Sequence, residues 1–364
     1  MLAAGGTGGH LFPALALAQE LARRSIAVDL VTDTRGEGFG DNFPARAIYR
    51  VPSATFAGRS PLAAVRTAWM LTRGVGAALK LLGEVKPGAV VGFGGYPTFP
   101  PLLAARLRRI PTALHEQNAV LGRANRMLAP QVTVIATSFA QTRRLHGAAA
   151  ARARLTGNPV RDAVLEWSGQ GYLPPGPAGP FSLLVFGGSQ GARFFSDALP
   201  PALALLPSEL KANLFVVQQC RKEDLARVEA AYRAEGIRAH LATFFANLPE
   251  EMAKAHLVVG RAGASTTAEL AVMGRPALLV PLPHALDDDQ LQNATRLARS
   301  GGAWCLPQEE LTPERLAAAI ARLFGSPGVL AEAAAAAKQQ GRPDAVLRLA
   351  DLVEELVGSR AKSA

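Results

Sequence analysis

Residues 182–193, SLLVFGGSQGAR, decide the fold. The apolar run Ser182–Phe186 has the length of a buried strand, Gly187, Gly188 and Gly191 turn the chain, and Arg193–Leu206 continues with helical spacing. A strand, glycine turn and helix in this order aim free backbone N–H groups and the positive helix end at one point, which suits a phosphate. The chain opens on a second copy of the pattern. There Met1 to Ala4 feeds Gly5-Gly6-Thr7-Gly8-Gly9-His10, and a helix is predicted over Leu11–Arg24. Two such units predict an α/β chain of two Rossmann-like domains facing each other across a cleft.

Working outward, short apolar runs alternate with amphipathic stretches, the signature of parallel α/β sheets. Strands are predicted at Val28–Thr32, Ala47–Val51, Ala89–Phe93, Thr112–His115 and Val132–Ala136 in the first half. In the second half they are predicted at Ser182–Phe186, Leu214–Gln218, His256–Gly260, Ala277–Val280 and Ala303–Leu306. Pro61–Glu84 and Glu223–Ala234 read as further helices. The Pro/Gly stretch Gly169–Pro180 reads as a loop. The domain change is placed slightly earlier, around Gly157-Asn158-Pro159, giving domains 1–160 and 161–342.

The 364 residues suit two domains that each bury a core. Cys220 and Cys305 form no CxxC, and the six histidines show no ligand spacing, so neither a disulfide framework nor a metal site is predicted. No apolar run reaches the roughly 18 residues of a membrane span, and the start lacks a signal-peptide pattern, which points to a soluble, reduced, cytoplasmic chain. Charge is uneven. Residues 1–161 carry 20 Lys+Arg against 7 Asp+Glu, whereas residues 162–364 carry 19 against 22. A basic first half predicts an anionic partner. The cations lack aromatic interleaving and any RNA-recognition or zinc-finger signature, so nucleic acid is not predicted, and the anionic leaflet of a membrane is the better candidate.

Neither glycine loop supplies G-x-G-x-x-G, which argues against NAD. Gly187-Gly188-Ser189-Gln190-Gly191 does match the G-x-S-x-G of serine hydrolases, a reading that would make Ser189 a nucleophile and leaves the first loop unexplained. Asp287-Asp288-Asp289 could hold a divalent metal but more simply opens a helix at Gln290. His146 and His240 read as surface or packing residues. His10 differs, because it ends a loop of backbone N–H groups where a general base is useful.

The words GGTGGH, GFGGYPTFPP, HEQNAVLGRANR, GNPVR, GGSQGAR, RAGASTTAEL and DDDQLQNA occur in order from residue 5 to Ala294. As an ordered set they closely resemble the bacterial peptidoglycan N-acetylglucosaminyltransferases that make lipid II. The resemblance implies the GT-B fold, with a last helix, about 343–357, crossing back onto the first domain. It implies transfer of GlcNAc from UDP-GlcNAc to the 4-hydroxyl of the muramoyl sugar of lipid I, with inversion and without a metal or other cofactor. A UDP-GlcNAc 2-epimerase is the alternative within that fold. The implied partners are the two substrates, the anionic cytoplasmic face of the inner membrane, and cell-wall synthesis and division proteins.

By the same resemblance, Ser189 faces the donor diphosphate, Arg161 reaches the nucleotide and the backbone near Phe245 reads uracil. Ala264, Ser265 and Thr266 open a helix beneath the α-phosphate, Glu269 binds the ribose hydroxyls and Gln290 the GlcNAc hydroxyls. From the first domain Thr7, Gly8 and Gly9 close on phosphates and Asn118 orients the sugar. His10 is the favoured base and Glu116 its competitor. A helix over Pro61–Glu84 would meet the membrane through Arg66, Arg73 and Lys80, with Leu62, Val65 and Trp69 as an apolar stripe. Three departures are visible. The strand ahead of the first loop has only Met1 to Ala4, so either the start lies upstream or the edge of the first sheet is incomplete. Asp289 stands where relatives carry histidine or glutamine, which rearranges a sugar contact. Pro97-Thr98-Phe99 replaces smaller residues and reshapes the acceptor pocket.

Overall fold

The computed structural model describes residues 1–5, 8–33, 43–53, 61–176, 178–188, 191–285 and 287–361. The elements up to the domain change are β1 (Leu2–Ala3), α1 (Gly8–Arg23), β2 (Asp29–Thr32), β3 (Ala47–Arg50), α2 (Pro61–Val85), β4 (Val90–Gly92), α3 (Phe99–Leu107), β5 (Thr112–Glu116), α4 (Arg123–Leu128), β6 (Val134–Thr137), α5 (Gly147–Ala150) and β7 (Ala153–Leu155). They continue as α6 (Asp162–Ser168), β8 (Phe181–Phe186), α7 (Arg193–Ala204), α8 (Ser208–Asn213), β9 (Leu214–Gln219), α9 (Leu225–Ala234), β10 (Arg238–Ala242), α10 (Leu248–Lys254), β11 (Leu257–Gly260), α11 (Ala264–Met273), β12 (Ala277–Leu279), α12 (Asp289–Arg299), β13 (Ala303–Cys305), α13 (Pro313–Phe324), α14 (Pro327–Gln340) and α15 (Ala345–Ala361). Two compact units form, one of Met1–Arg161 with Pro343–Ala364 and the other of Asp162–Arg342.

Each unit is a doubly wound parallel sheet. The first has the order β3-β2-β1-β4-β5-β6-β7 and the second β10-β9-β8-β11-β12-β13. Every pairing is parallel, for example Leu2 with Leu30 and Val91, and Val259 with Val185. These are the two Rossmann-like domains that the glycine turns predict. In the first sheet alternate residues feed opposite faces, as the period of two requires. Leu2, Leu30 and Val91 pack with Leu17 of α1 and Leu349 and Val353 of α15. Ala3, Val31 and Val90 pack on the other face with Ala78 and Leu82 of α2 and Leu102 of α3. Burial on both sides is what keeps the strands almost wholly apolar. The second sheet is built likewise, with Leu183, Val185, Val216 and Val259 against Phe195, Leu199, Ile320 and Phe324.

Two expectations change and a third holds. Strand β1 is not at the edge of its sheet but lies between β2 and β4, where neighbours supply hydrogen bonds on both sides. Strands β7 and β10 escaped the sequence reading. The first has three residues, and the second is an exposed edge bearing Arg238 and His240, so neither carries an apolar run. Of the three aspartates, Asp288 is the N-cap of α12 and Asp289 its first residue, so the run opens the helix as expected, one residue before Gln290.

Helix α15 is held to the first unit by its apolar face and by peripheral ion pairs. Arg24 Nη1 lies 2.6 Å from Asp351 and Arg154 Nη1 2.5 Å from Glu355, while Arg360 donates to the Pro87 carbonyl. Exposed ion pairs contribute little, so the apolar contacts carry the attachment. Leu349→Ala, which empties a fully buried position, is expected to destabilise the first unit by about 2–5 kcal/mol in urea unfolding. A loss below about 1 kcal/mol would mean that α15 adds nothing to this core.

Candidate active site

Ligands of open parallel sheets bind beyond the carboxyl ends of the strands, where the winding direction reverses. In these sheets the reversals fall between β1 and β4 and between β8 and β11. In the first unit the flanking segments are the start of α1 and the turn Phe93–Tyr96 after β4. His10, half-buried in the first turn of α1, lies across that turn. A Cβ added to Gly94 would come within 3.1 Å of its Cε1, and one added to Gly95 within 3.4 Å of its Nε2. Both glycines have positive φ, 89° and 74°, so other residues would be strained as well as crowded there. Pro97, one of the departures, packs beneath the first loop. A Cβ on Gly5 would stand 2.8 Å from its Cγ.

Strand β5 delivers the buried pair His115 and Glu116. Burial pushes the His115 pKa down to about 4, so the ring is neutral at neutral pH. Gln117 Nε2 donates to its Nδ1 at 3.0 Å, which leaves the proton on Nε2 to bond the Gly157 carbonyl at 2.9 Å. The same Gln117 amide donates to the Phe93 carbonyl at 2.9 Å. The loops after β4, β5 and β7 are thereby tied together under His10. The Glu116 carboxylate accepts four hydrogen bonds: from the Asn118 amide N–H (2.9 Å) and Nδ2 (3.2 Å), the Gly122 amide N–H (2.9 Å) and Asn125 Nδ2 (2.7 Å). Burial raises its pKa against the pull of these donors. Glu116, the competing candidate for the base, is thus placed in a closed set of donors. With 1% of its surface exposed and its acceptor sites filled, it folds the 117–122 loop and holds Asn118.

Gly8 is buried at the start of α1, and Gly9 is exposed with open space where a Cβ would point. The Arg161 guanidinium stacks 4.3 Å over the ring of Phe12, so it stands beside the same helix start. Thr7 and Ser189 lie outside the described residues.

In the second unit Gly187 must be glycine, because a Cβ there would come 2.3 Å from the Ala192 nitrogen. Strand β8 ends at Phe186 and α7 starts at Arg193, a longer turn than the sharp nucleophile elbow of a serine hydrolase. After β11 the chain runs through Arg261 and Gly263 into α11, whose N-terminal residues are Ala264, Ser265 and Thr266. Glu269 is buried in the next turn of α11. Asn293 Nδ2 on α12 donates to the Ala262 carbonyl at 3.1 Å and fixes the loop from the side. Gln290 Oε1 accepts from the Leu282 amide at 3.0 Å, which anchors the segment before α12. Phe245 is buried edge-on against His240, 5.4 Å between centroids, and among the described residues nothing accepts from its amide N–H.

Arg261 was not singled out in the sequence. It is buried, and Nη1 donates to the Val280 and Pro281 carbonyls at 3.1 and 3.0 Å, Nη2 to Gln308 Oε1 at 2.6 Å. Burial lowers its pKa to about 10, so it stays cationic, and among the described residues no carboxylate pairs with it. An uncompensated cation and a helix N-terminus on one loop suit a diphosphate. Like His115, Gln117, Asn125 and Asn293, it stands inside a quoted word, but only the fold shows where its side chain goes.

On α2 the buried face runs through Thr67, Leu71, Ala78 and Leu82. Arg66, Arg73 and Lys80 are exposed, and Arg73 lies 4.8 Å over the ring of Trp69. Trp69 is 57% and Val65 67% exposed, so these two are not the helix's core face. The side chain of Leu62 lies outside the described ones. No single described helix is long and apolar enough to cross a membrane.

Residues 1–137 match the family model described as glycosyltransferase family 28 N-terminal domain, and residues 182–349 that of the glycosyltransferase family 28 C-terminal domain. The chain is 57% identical over 357 residues to the UDP-N-acetylglucosamine–N-acetylmuramyl-(pentapeptide) pyrophosphoryl-undecaprenol N-acetylglucosamine transferase of Methylobacterium nodulans, covering 98% of this chain and 96% of that one. The same-named protein of Mesorhizobium japonicum is 52% identical over 363 residues, 100% and 96% of the two chains. Among solved structures, Acinetobacter baumannii MurG superposes with a TM-score of 0.77 at 30% identity over 98% of both chains. A UDP-GlcNAc 2-epimerase from Neisseria meningitidis superposes at 0.67 with 13% identity, covering 98% of this chain and 99% of that one, a likeness of fold alone. The fold is thus that of the GT-B glycosyltransferases, and the chain belongs to glycosyltransferase family 28, among the N-acetylglucosaminyltransferases that carry this name.

Proposed function

We infer that this protein transfers GlcNAc from UDP-GlcNAc to the 4-hydroxyl of the muramoyl sugar of lipid I, producing lipid II for peptidoglycan. The carrying observation is identity of 50% or more, over nearly the full length, to proteins named for that transfer. The second unit takes the donor. Phe245 offers a backbone N–H to the uracil, Glu269 accepts from the ribose hydroxyls and Gln290 meets the sugar. Ala264, Ser265 and Thr266 present the N-terminus of α11 to the diphosphate, with the charge of Arg261 behind, and Ser189 faces the same diphosphate. The first unit takes the acceptor. His10 Nε2 removes the 4-hydroxyl proton as that oxygen attacks C1 of GlcNAc, the C1–O bond to UDP breaks on the opposite face, and inversion follows. Thr7, Gly8 and Gly9 border the phosphates, Asn118 orients the sugar, and Arg161 reaches the nucleotide from beside α1.

Radiolabelled UDP-GlcNAc separates the readings. Label appearing on a lipid identifies the transferase, release of ManNAc with UDP an epimerase, and ester cleavage a hydrolase. His10→Ala is expected to lower turnover by about 100- to 10,000-fold, the usual worth of a positioned base, while UDP-GlcNAc affinity stays near wild type. Near-normal turnover would put the base elsewhere. Glu269→Ala is expected to raise donor KM and blunt discrimination against a 2′-deoxy-UDP-sugar. Unchanged donor affinity in a titration would leave Glu269 as a packing residue.

The acceptor's lipid tail stays in the bilayer, so the first unit works at the cytoplasmic face of the inner membrane, peripherally. Exposed Val65 and Trp69 beside Arg66, Arg73 and Lys80 support α2 as the contact. Each basic residue near an anionic leaflet contributes about 1 kcal/mol. Replacing the three cations with Gln is expected to weaken flotation with anionic vesicles by about 3 kcal/mol while sparing transfer to a short-chain, soluble acceptor. Unaltered vesicle binding would remove α2 from the interface.

A further inference from the structure

A cavity of about 370 Å³ opens in the first unit, lined by Arg106, Arg109 and Arg152 together with Ile110, Pro111, Pro130, Gln131, Val132 and Thr133. It sits at the amino ends of three neighbouring strands. Arg109 to Pro111 lead into β5, Pro130 to Thr133 into β6, and Arg152 into β7. The loops around His10 and Glu116 lie at the carboxyl ends. The five residues of β5 span about 16 Å at 3.3 Å per residue, so the cavity is on the opposite edge of the sheet.

Three arginines line this space and no acidic residue does. Among the described residues Arg106 and Arg109 side chains have no hydrogen-bond or ion-pair partner. Arg152 Nη2 donates to the Ala129 and Pro130 carbonyls at 2.9 and 3.2 Å, and its Nε is buried without a partner. Helix α3 ends here in a Schellman turn. The Ile110 amide bonds the Ala105 carbonyl at 2.9 Å and the Arg109 amide that of Arg106 at 3.1 Å. The residue that such a turn holds in the left-handed region is usually glycine, yet here it is Arg109 at φ 55°. A non-glycine residue costs about 1–2 kcal/mol in that conformation. The α3 C-terminus favours nearby cations through its dipole, which accounts for Arg106. It does not account for Arg152, which comes from another segment, nor for an arginine at the glycine position.

We propose that this cavity binds a phosphate group, as a site separate from the donor site. Three arginines without a carboxylate partner, of which Arg106 and Arg109 have no internal acceptor for their forks, match a tetrahedral oxyanion, and Gln131 and Thr133 in the lining add uncharged polar groups. The phosphate can arrive on a soluble compound or on a phospholipid headgroup.

The test compares wild type with Arg106→Gln/Arg109→Gln, using inorganic phosphate at constant ionic strength and, separately, vesicles of phosphatidylglycerol. Transfer to a soluble acceptor serves as the check on folding. Without phosphate the variant is expected to melt no lower than wild type, since two unpaired like charges are gone. Its phosphate-dependent rise in Tm should correspond to an affinity about tenfold weaker for each fork removed. Loss of the phosphate response with normal vesicle flotation assigns a soluble phosphate compound, and loss of both assigns the lipid headgroup. If the Gln variant melts lower, Arg106→Lys/Arg109→Lys, which keeps charge but removes the forks, must show the weakened response instead. An equal phosphate response in wild type and variant, or none in wild type, overturns the proposal.

Discussion

Parallel pairing is the constraint on which both units depend. A parallel strand cannot follow its neighbour through a hairpin, so each connection crosses the sheet and packs on one face. Winding outward from β1 and from β8 in both directions leaves one reversal per sheet. At each reversal adjacent connections leave on opposite faces, and a crevice opens at the carboxyl ends. The glycine turns, His10 and the start of α11 are all placed by that geometry. The same winding sends the amino ends of β5, β6 and β7 to the other edge, where the arginine-lined cavity lies.

Holding loops at such a crevice requires buried polar groups, and the first unit solves this with a closed network. An unsatisfied buried polar group costs about 1–3 kcal/mol, more if charged. Glu116 avoids that cost through four donors, and His115 avoids charge altogether by remaining neutral. The result is a hydrogen-bonded floor beneath His10. Residues of one four-letter word, HEQN, thus divide into a tied imidazole, a loop-folding carboxylate, an amide strut and a half-buried asparagine held by that carboxylate.

The described arginines differ in what their donors meet. Arg24, Arg46 and Arg154 meet carboxylates at 2.5–2.7 Å and belong to the scaffold. Arg275 is fully buried and spends its donors on carbonyls of Met252, Gly274 and Gln170. Arg261 and the trio Arg106, Arg109 and Arg152 lack carboxylate partners among the described residues. The excess of positive charge in the first half is therefore more than a diffuse field. Part of it is concentrated where an anion can enter.

Sequence by itself determined the two glycine-turn units, most strands and the order of the motif words, because these rest on local chemistry and period. Ser182–Phe186 reads as a strand from its apolar run, and Gly187 as a turn residue from its neighbours. Tertiary structure decided what local pattern does not encode. Strand β10 pairs through its backbone while exposing its side chains, so it carries no apolar signal. Glu116 and His10 both look like bases in the sequence. Only the packing of β5 against the 117–122 loop fills one carboxylate with donors, and only the Gly94–Gly95 turn leaves room for the imidazole. The cavity gathers residues from positions 106 to 152 because three strands start side by side, a proximity set by hydrogen bonding between strands and not by distance along the chain.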